Sequence, residues 1–532
     1  MSLQDGLLPA AISPRSLSPH RCIAALVFLA ALYCLWKYQR RRQATRETER
    51  AFALKHGCLP PPVWGAKFPL GLDYLFRAFK HAHRKQILSF FIDVFDESGA
   101  TFQQHLLGAR AIGTIDPANI EAVLSTNFKD YNLGLRTPTF SPLLGNGIFT
   151  QDGAEWKHSR QLLRPHLAST KHQNFEYLKR CVEGMIAAIP EDGIVDLQPL
   201  CFRLTFDTTM VLLFGASVSA GDWGQVSGQE SAFSKAFNFS QEYLSHRGRL
   251  GGLYWLLNSR AFRDANRVCH DFVDGAVKKA LAAAQKGEGR NDADTKRRSF
   301  VEELVRETQD TRVIRDQCLN VLLAGRDTTG CCLQWTFRLL ARHQRVLRKV
   351  RAEIAEISGL GANAPPPTRD DIKRMKYLHL VIKEALRLYP SVPVNSREAI
   401  RLTTLPVGGG PDGKSSVLVR PGEGVGYSVY AMHRRKDLYG NDAEEFRPER
   451  WQDGSLDNIG CGYLPFNFGP RLCLGKEFAL LEVSYTVARV IQVFTNIEAA
   501  PDEVPVEVGR EKQTLTLVVS SGDACRVCMK TG

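Results

Sequence analysis

Apolar positions recur along most of this chain at helical spacing, three and four residues apart, and only briefly in the alternating pattern of strands. The helical pattern predicts helices over Phe79–Phe95, Lys171–Ile189, Ala261–Gln285, Val313–Arg342, Arg345–Ile357 and Asp371–Leu388. Strand-like runs are few and short: Phe102–Leu107, Val417–Arg420 and Thr514–Val519. The polar stretch from Lys286 to Arg298 and the stretch Gly361–Pro367 read as solvated connections between helices. No internal repeat is visible, and no composition shift marks a boundary after Val63. The pattern therefore predicts a mostly α fold with small β-sheets, with residues 63–532 as one large domain.

The N-terminal part is patterned differently. Residues 1–21 are polar, and Ile23–Trp36 is an uninterrupted apolar run inside a 22–38 segment. At ~1.5 Å per residue the run spans roughly 21 Å, short of a thin bilayer core of about 27 Å, so flanking side chains would have to snorkel. Lys37, Arg40, Arg41 and Arg42 follow it, whereas a cleavable signal carries its positive region in front. This reads as a transmembrane signal-anchor helix that keeps everything after Lys37 in the cytosol. Residues 39–62 then form a basic and proline-rich linker, with Pro60–Pro62 as a stiff spacer.

Charge adds one exclusion. Lys and Arg number 69 against 56 Asp and Glu, but the excess is dispersed, which argues against nucleic acid and suits an acidic partner or an anionic membrane surface. Cysteines number 13, an odd set at irregular spacing, which points to a reducing compartment rather than a disulfide framework.

The strongest chemical signal is Pro465–Gly475, PFNFGPRLCLG. Gly469 permits a turn that a Cβ would obstruct, Arg471 places a cation two residues before Cys473, and Gly475 clears space after it. A helical run begins at Lys476, so the sulfur lies just ahead of a helix N-terminus, where a metal-ligating thiolate is stabilised. Phe466 shields the approach. Cys461, nearby, lacks these neighbours and reads as an inert buried thiol. The pattern F-x-x-G-x-R-x-C-x-G resembles the haem-binding loop of the cytochrome P-450 family.

That resemblance extends over Val63 to the C-terminus. Ala324-Gly325-Arg326-Asp327-Thr328-Thr329 lies in mid-helix, where an acid beside an alcohol is unfavourable without a reason. It is similar to the family's A-G-x-D-T-T oxygen-binding helix, which implies that Asp327 relays protons, Thr328 hydrogen-bonds oxygen or water, and small Ala324 and Gly325 let the backbone approach the haem. Glu384-Ala-Leu-Arg387 matches E-x-x-R, and with Arg450 of Phe446–Trp451 it implies a buried structural network behind the cysteine loop. Trp156 and Arg160, at i and i+4 on one helix face, together with Arg397 and Arg471, are implied partners of the haem propionates. The resemblance thus implies the cytochrome P-450 fold and haem b, its iron held by the axial Cys473 thiolate.

Two other motifs carry less. Gly408–Ser415, GGGPDGKS, has the letters of a phosphate-binding loop but precedes a strand-like run instead of a helix, and reads as a hairpin connection. Cys525-x-x-Cys528 has no second pair at zinc spacing and reads as two free thiols.

The implied reaction inserts one atom of O2 into a C–H bond, with electrons from NADPH through a cytochrome P-450 reductase. Arg471 and Lys476 are candidate docking cations for that reductase. The motifs are similar to those of fungal alkane and plant fatty-acid ω-hydroxylases, which implies an aliphatic substrate oxidised near its chain end. Phe140, Leu143, Leu144, Ile148 and Phe149, with Val394, Asn395 and Leu515, are expected to line the pocket. The alternatives are a sterol, secondary-metabolite or xenobiotic hydroxylase, and a haem-thiolate sensor that does not oxygenate. Asp327-Thr328 weighs against the sensor, since sensing needs no proton relay. The expected location is the endoplasmic reticulum membrane, single-pass, with the catalytic domain cytosolic and in contact with membrane lipid.

Overall fold

In this computed structural model the described residues are 19–65, 68–167, 172–214, 228–285 and 299–531. The polar Lys286–Arg298 loop of the sequence reading lies outside them. The chain divides into two compact units, Met1–Cys58 and Leu59–Gly532.

The first unit is described as one helix, Pro19–Lys55, that runs through the expected anchor and most of the expected linker. Most side chains of the apolar Ile23–Trp36 run lie outside the described residues, and among the described residues no helix is long and apolar enough to cross a membrane.

The second unit is organised around a 32-residue helix, Thr311–Arg342, capped by Asp310, whose side chain accepts from the backbone of Arg312 and Val313. Because it is buried on nearly all sides, the helix carries polar groups as well as Leu319, Leu322, Leu333 and Phe337 in the core. Asp316 accepts from Asn146 N at 2.9 Å, and Asn320 accepts from Phe149 N at 2.9 Å while donating to the Leu144 carbonyl at 2.9 Å. These bonds tie segment 144–149 to the helix, satisfying backbone groups that would otherwise be buried unpaired. Trp335 stacks flat on Tyr389, ring centroids 3.9 Å apart, and donates to the Val519 carbonyl.

A five-stranded sheet lies to one side, in the order Thr101–Leu106, Ala109–Thr114, Gly424–Ser428, Val394–Ala399, Tyr131–Asn132. Thr403–Gly409 and Ser415–Val419 pair antiparallel, so GGGPDGKS is a hairpin turn as expected. Gln513–Leu515 and Val519–Ser521 form a second hairpin where the sequence suggested one strand. Among the described residues no cysteine is in a disulfide, Cys525 and Cys528 included.

Three expectations are corrected. The Phe79–Phe95 helix is two, Leu72–His83 and Ile87–Ser98, separated at Lys85, whose φ is 58°. The Asp371–Leu388 helix is also two, Arg369–Arg374 and Lys376–Leu388; the capping box Thr368–Asp371 is present but starts the short one. Pro60–Pro62 is not a free spacer: Pro60 O accepts from Gly410 N at 3.1 Å and Pro62 O from Gln103 N at 2.7 Å, both within the second unit.

Candidate active site

The segment after Leu464 is wound tightly by its own backbone. Cys473 N donates to Phe466 O at 2.9 Å, Leu472 N to Gly469 O at 3.0 Å, and Asn467 Nδ2 to Arg471 O at 3.2 Å. Gly469 has φ of 64°, and a Cβ there would lie 2.1 Å from the Leu124 carbonyl oxygen, so only glycine fits. Gly469 itself stays off the cavity wall; its role is to shape the loop. The Lys476–Val493 helix begins directly afterwards. Cys473 is presented to a cavity of about 810 Å³. Burial pushes its thiol up, while the Gly475 backbone N–H, Arg160 and Lys476 act in the other direction and favour the thiolate. Cys461 is buried and its thiol is pushed up to about 12 by burial, with Glu121 adding to it, as befits an inert residue.

Next to the sulfur the cavity wall is crowded with cations. Trp156, Arg160, Arg397, Phe466, Arg471 and Gly475 all line it, as expected, and so does Arg136, which the sequence reading did not single out. Arg471 Nη2 reaches Asp152 Oδ1 at 2.7 Å and the guanidinium lies 4.4 Å from the Trp156 ring centroid. This engagement removes Arg471 as an outward docking cation; Lys476 is exposed. Among the described residues, Arg136 and Arg397 have only neutral hydrogen-bond partners, the Asn395 carboxamide oxygen and the Ser396 carbonyl. Burial, with Arg397 adding to it, pushes Arg136 down to about 9, and burial pushes Arg471 down to about 10. Arg397 Nε is buried without a hydrogen-bond partner among the described residues. Asn395 lines the cavity and also accepts from both arginines.

Across the cavity, Ala324, Gly325 and Thr328 line the wall from the central helix. Thr328 Oγ1 donates back to Ala324 O at 2.6 Å, and Ser391 Oγ donates to Thr328 O at 2.8 Å. Gly325 answers a second demand: a Cβ there would sit 2.3 Å from Thr209 Oγ1 of the Leu197–Phe214 helix. Asp327 is absent from the wall. It is buried and paired with Arg326 at 2.6 Å; burial pushes its carboxyl up, while Arg326 and Gln241 oppose the shift.

Behind the loop, Glu384 accepts from Arg387 Nε and Nη2 at 2.9 and 2.8 Å, from Arg450 Nε at 2.8 Å and from Trp451 Nε1 at 2.9 Å. Both charges of the Glu384–Arg387 pair are fully buried. His433 links this network to the loop: Nε2 accepts from Leu464 N at 2.9 Å, so Nδ1 carries the proton and donates to Arg387 O at 2.9 Å. Burial holds His433 neutral, pushed down to about 3.

Away from the cations the cavity is mostly apolar, with Phe140, Leu144, Ile148, Phe149, Val394 and Leu515 on its wall. Leu143 points instead into the protein core and is fully buried. Leu75, Ala78 and Phe79 of the Leu72–His83 helix also line it; the first two precede the expected helix start at Phe79.

The family model for Cytochrome P450 matches residues 67–519. This chain belongs to the cytochrome P450 family. It is 54% identical to a "Cytochrome P450" of Arthroderma benhamiae over 96% of this chain and 99% of that one. "Cytochrome P450 52A12" of Debaryomyces hansenii is 41% identical, covering 85% and 89% of the two chains. "Cytochrome P450 52A5" of Candida maltosa is 43% identical over 76% and 78%. The heme domain described as cytochrome P450DA superposes with a TM-score of 0.72 over 89% of this chain and 98% of that one, at 20% identity, a likeness of fold. This cytochrome P450 is a monooxygenase whose cofactor is haem with a cysteine thiolate ligand. The residues present fit that cofactor, because the buried, mutually repelling arginines and the orphaned Arg397 Nε need an anionic partner such as the two porphyrin carboxylates.

Proposed function

We propose that this cytochrome P450 hydroxylates aliphatic C–H bonds of an n-alkane or fatty acid near the chain end, with O2 and with NADPH electrons passed on by a cytochrome P450 reductase. The observation that carries the reading is a single cavity in which Cys473, the arginine cluster and Thr328 share a wall with Phe140, Leu144, Ile148 and Phe149. In this reading the Cys473 thiolate would hold the haem iron, and Arg136, Arg160, Arg397 and Arg471 would hold the propionates. Bound haem supplies the oxygen-activating chemistry. The chain's part is to exclude water with the apolar wall and to deliver protons from the central helix. Thr328 is the last donor on that route, its hydroxyl now resting on Ala324 O. Asp327 restocks it from behind, which requires its bond with Arg326 to open.

The membrane reading is part of the proposal. The Pro19–Lys55 helix carries the Ile23–Trp36 run followed by four cations, consistent with a single-pass anchor in the endoplasmic reticulum and a cytosolic catalytic unit. Phe68, Leu70, Leu72, Phe76, Trp255 and Leu256 are exposed, beside cavity-lining Leu75, Phe79 and Gly251. Exposed apolar side chains on these two segments suit contact with lipid and entry of the substrate from it.

The test is coupling in the full chain reconstituted with reductase, NADPH and tetradecanoic acid or tetradecane. Hydroxylated product should appear in proportion to NADPH consumed. Thr328→Ala should keep haem and NADPH oxidation but release peroxide in place of most product. Wild-type coupling in that variant would remove Thr328 from the proton route.

A further inference from the structure

One further cation, carried by a different helix, lines the cavity wall. Arg249 ends the Gly228–Arg249 helix and is half-buried among Leu244, Gly248, Gly251 and Leu517 of the same wall. Its partners are neutral: Nη2 donates to the Leu515 carbonyl at 3.1 Å and Nη1 to His246 Nδ1 at 3.0 Å. No carboxylate lies within ion-pair distance of it among the described residues. Burial pushes its pKa down, and Glu242 only partly offsets this.

Its orientation is built in. A guanidinium can only donate, so His246 Nδ1 accepts and the imidazole proton sits on Nε2, 3.8 Å from Glu242 Oε1. The Glu242–His246–Arg249 chain fixes one edge of the guanidinium, and the Leu515 carbonyl holds another. An arginine has five N–H donors, so some remain for a ligand. With Arg136, Arg160, Arg397 and Arg471 assigned to the propionates, a greasy cavity with one further oriented cation that has no carboxylate within ion-pair distance is complementary to an amphiphile, an aliphatic chain ending in an anion. Planar, bidentate contact suits a carboxylate.

We propose that Arg249 receives the carboxylate of the substrate, so that long-chain fatty acids rather than alkanes are the preferred ligands of this cavity. This rests on the aliphatic-substrate reading above and narrows it.

The test compares binding of tetradecanoate and tetradecan-1-ol, which share a chain and differ in charge, to the haem-loaded full chain by calorimetry. The wild type should prefer the acid. Arg249→Leu should lose about tenfold more affinity for the acid than for the alcohol, the loss of one charge-assisted contact. Arg249→Lys should restore much of that preference. If Arg249 merely ties down the Leu515 turn, both ligands weaken together in Arg249→Leu, and that result overturns the proposal. Equal wild-type affinity for acid and alcohol overturns it too, while leaving the aliphatic reading in place. A wild type that binds neither overturns the aliphatic reading itself and the proposal with it.

Discussion

Glu482 shows how a single buried group sets a pH dependence. It lies on the helix that follows the cysteine loop, fully enclosed, and accepts one hydrogen bond from Thr208 Oγ1 at 2.5 Å. Burial pushes its carboxyl up from 4.5 to about 8, against the pull of Thr208. Between those pH values the folded chain keeps a proton that the unfolded chain gives up, so stability falls as pH rises and levels off above about 8. The slope is at most about 1.4 kcal/mol per pH unit. Glu482→Gln keeps the acceptor for Thr208 and removes the titration. Its melting temperature should therefore fall less than that of the wild type between about pH 6 and pH 8.5; parallel profiles would show that Glu482 does not titrate in this window. Nothing around position 482 in the sequence announces this, because the partner lies on a distant helix. Cys473, Glu384, Arg387 and Arg450 were legible because each sits inside a local pattern. Arg136 and His433 were not, since what defines them is the company they keep across the fold: Asn395 and Ser396 for one, Leu464 and Arg387 for the other.

Helix packing over the cavity turns on the contact between Gly325 and Thr209. Thr209 Oγ1 is already committed to Thr205 O at 2.7 Å, and Thr205 Oγ1 to Arg326 O at 2.6 Å, so the two helices are pinned at close approach. Gly325→Ala should cost about 1–3 kcal/mol by overpacking. Thr209→Ala in the same chain removes the clashing oxygen, so much of that loss should be recovered in thermal unfolding. Strictly additive effects would mean that the helices separate freely. The Leu197–Phe214 helix escaped the sequence reading for a related reason: Thr205, Asp207, Thr208 and Thr209 are all buried, which erases the apolar stripe that marks a helix. The central helix was found whole because its run of apolar residues is long. The break at Met375 was invisible because what starts the next helix is remote. Glu353 accepts from the backbone of Tyr377 and Leu378 at 2.8 and 2.9 Å, a cap supplied from another helix.

For the molecule as a whole, the mostly α class, the hairpin and the order of the motifs could all be read from the sequence, and the family match bears out the class. The division after Cys58 was placed four residues late by the sequence, because Leu59–Pro62 looks like a linker and yet is hydrogen-bonded into the catalytic unit. A chain starting at Leu59 should therefore fold and bind haem, and should be released from membranes more readily than the full chain. Failure to fold would show that the first unit supports the second. Orientation is tested by Asn238 of the sequon Asn238-Phe239-Ser240, whose carboxamide oxygen accepts from Arg326 at 3.0 Å. A cytosolic catalytic unit leaves it unglycosylated, whereas a glycosidase-sensitive mass shift lost in Asn238→Gln would place the unit in the lumen. Beneath all of this stands the claim that Cys473 is the thiolate that holds the haem iron. The direct measurement is the absorbance of the reduced, CO-treated protein: Cys473→Ser should lose the thiolate-type Soret band and Cys461→Ser should keep it. An unchanged band in Cys473→Ser would contradict the account at its centre.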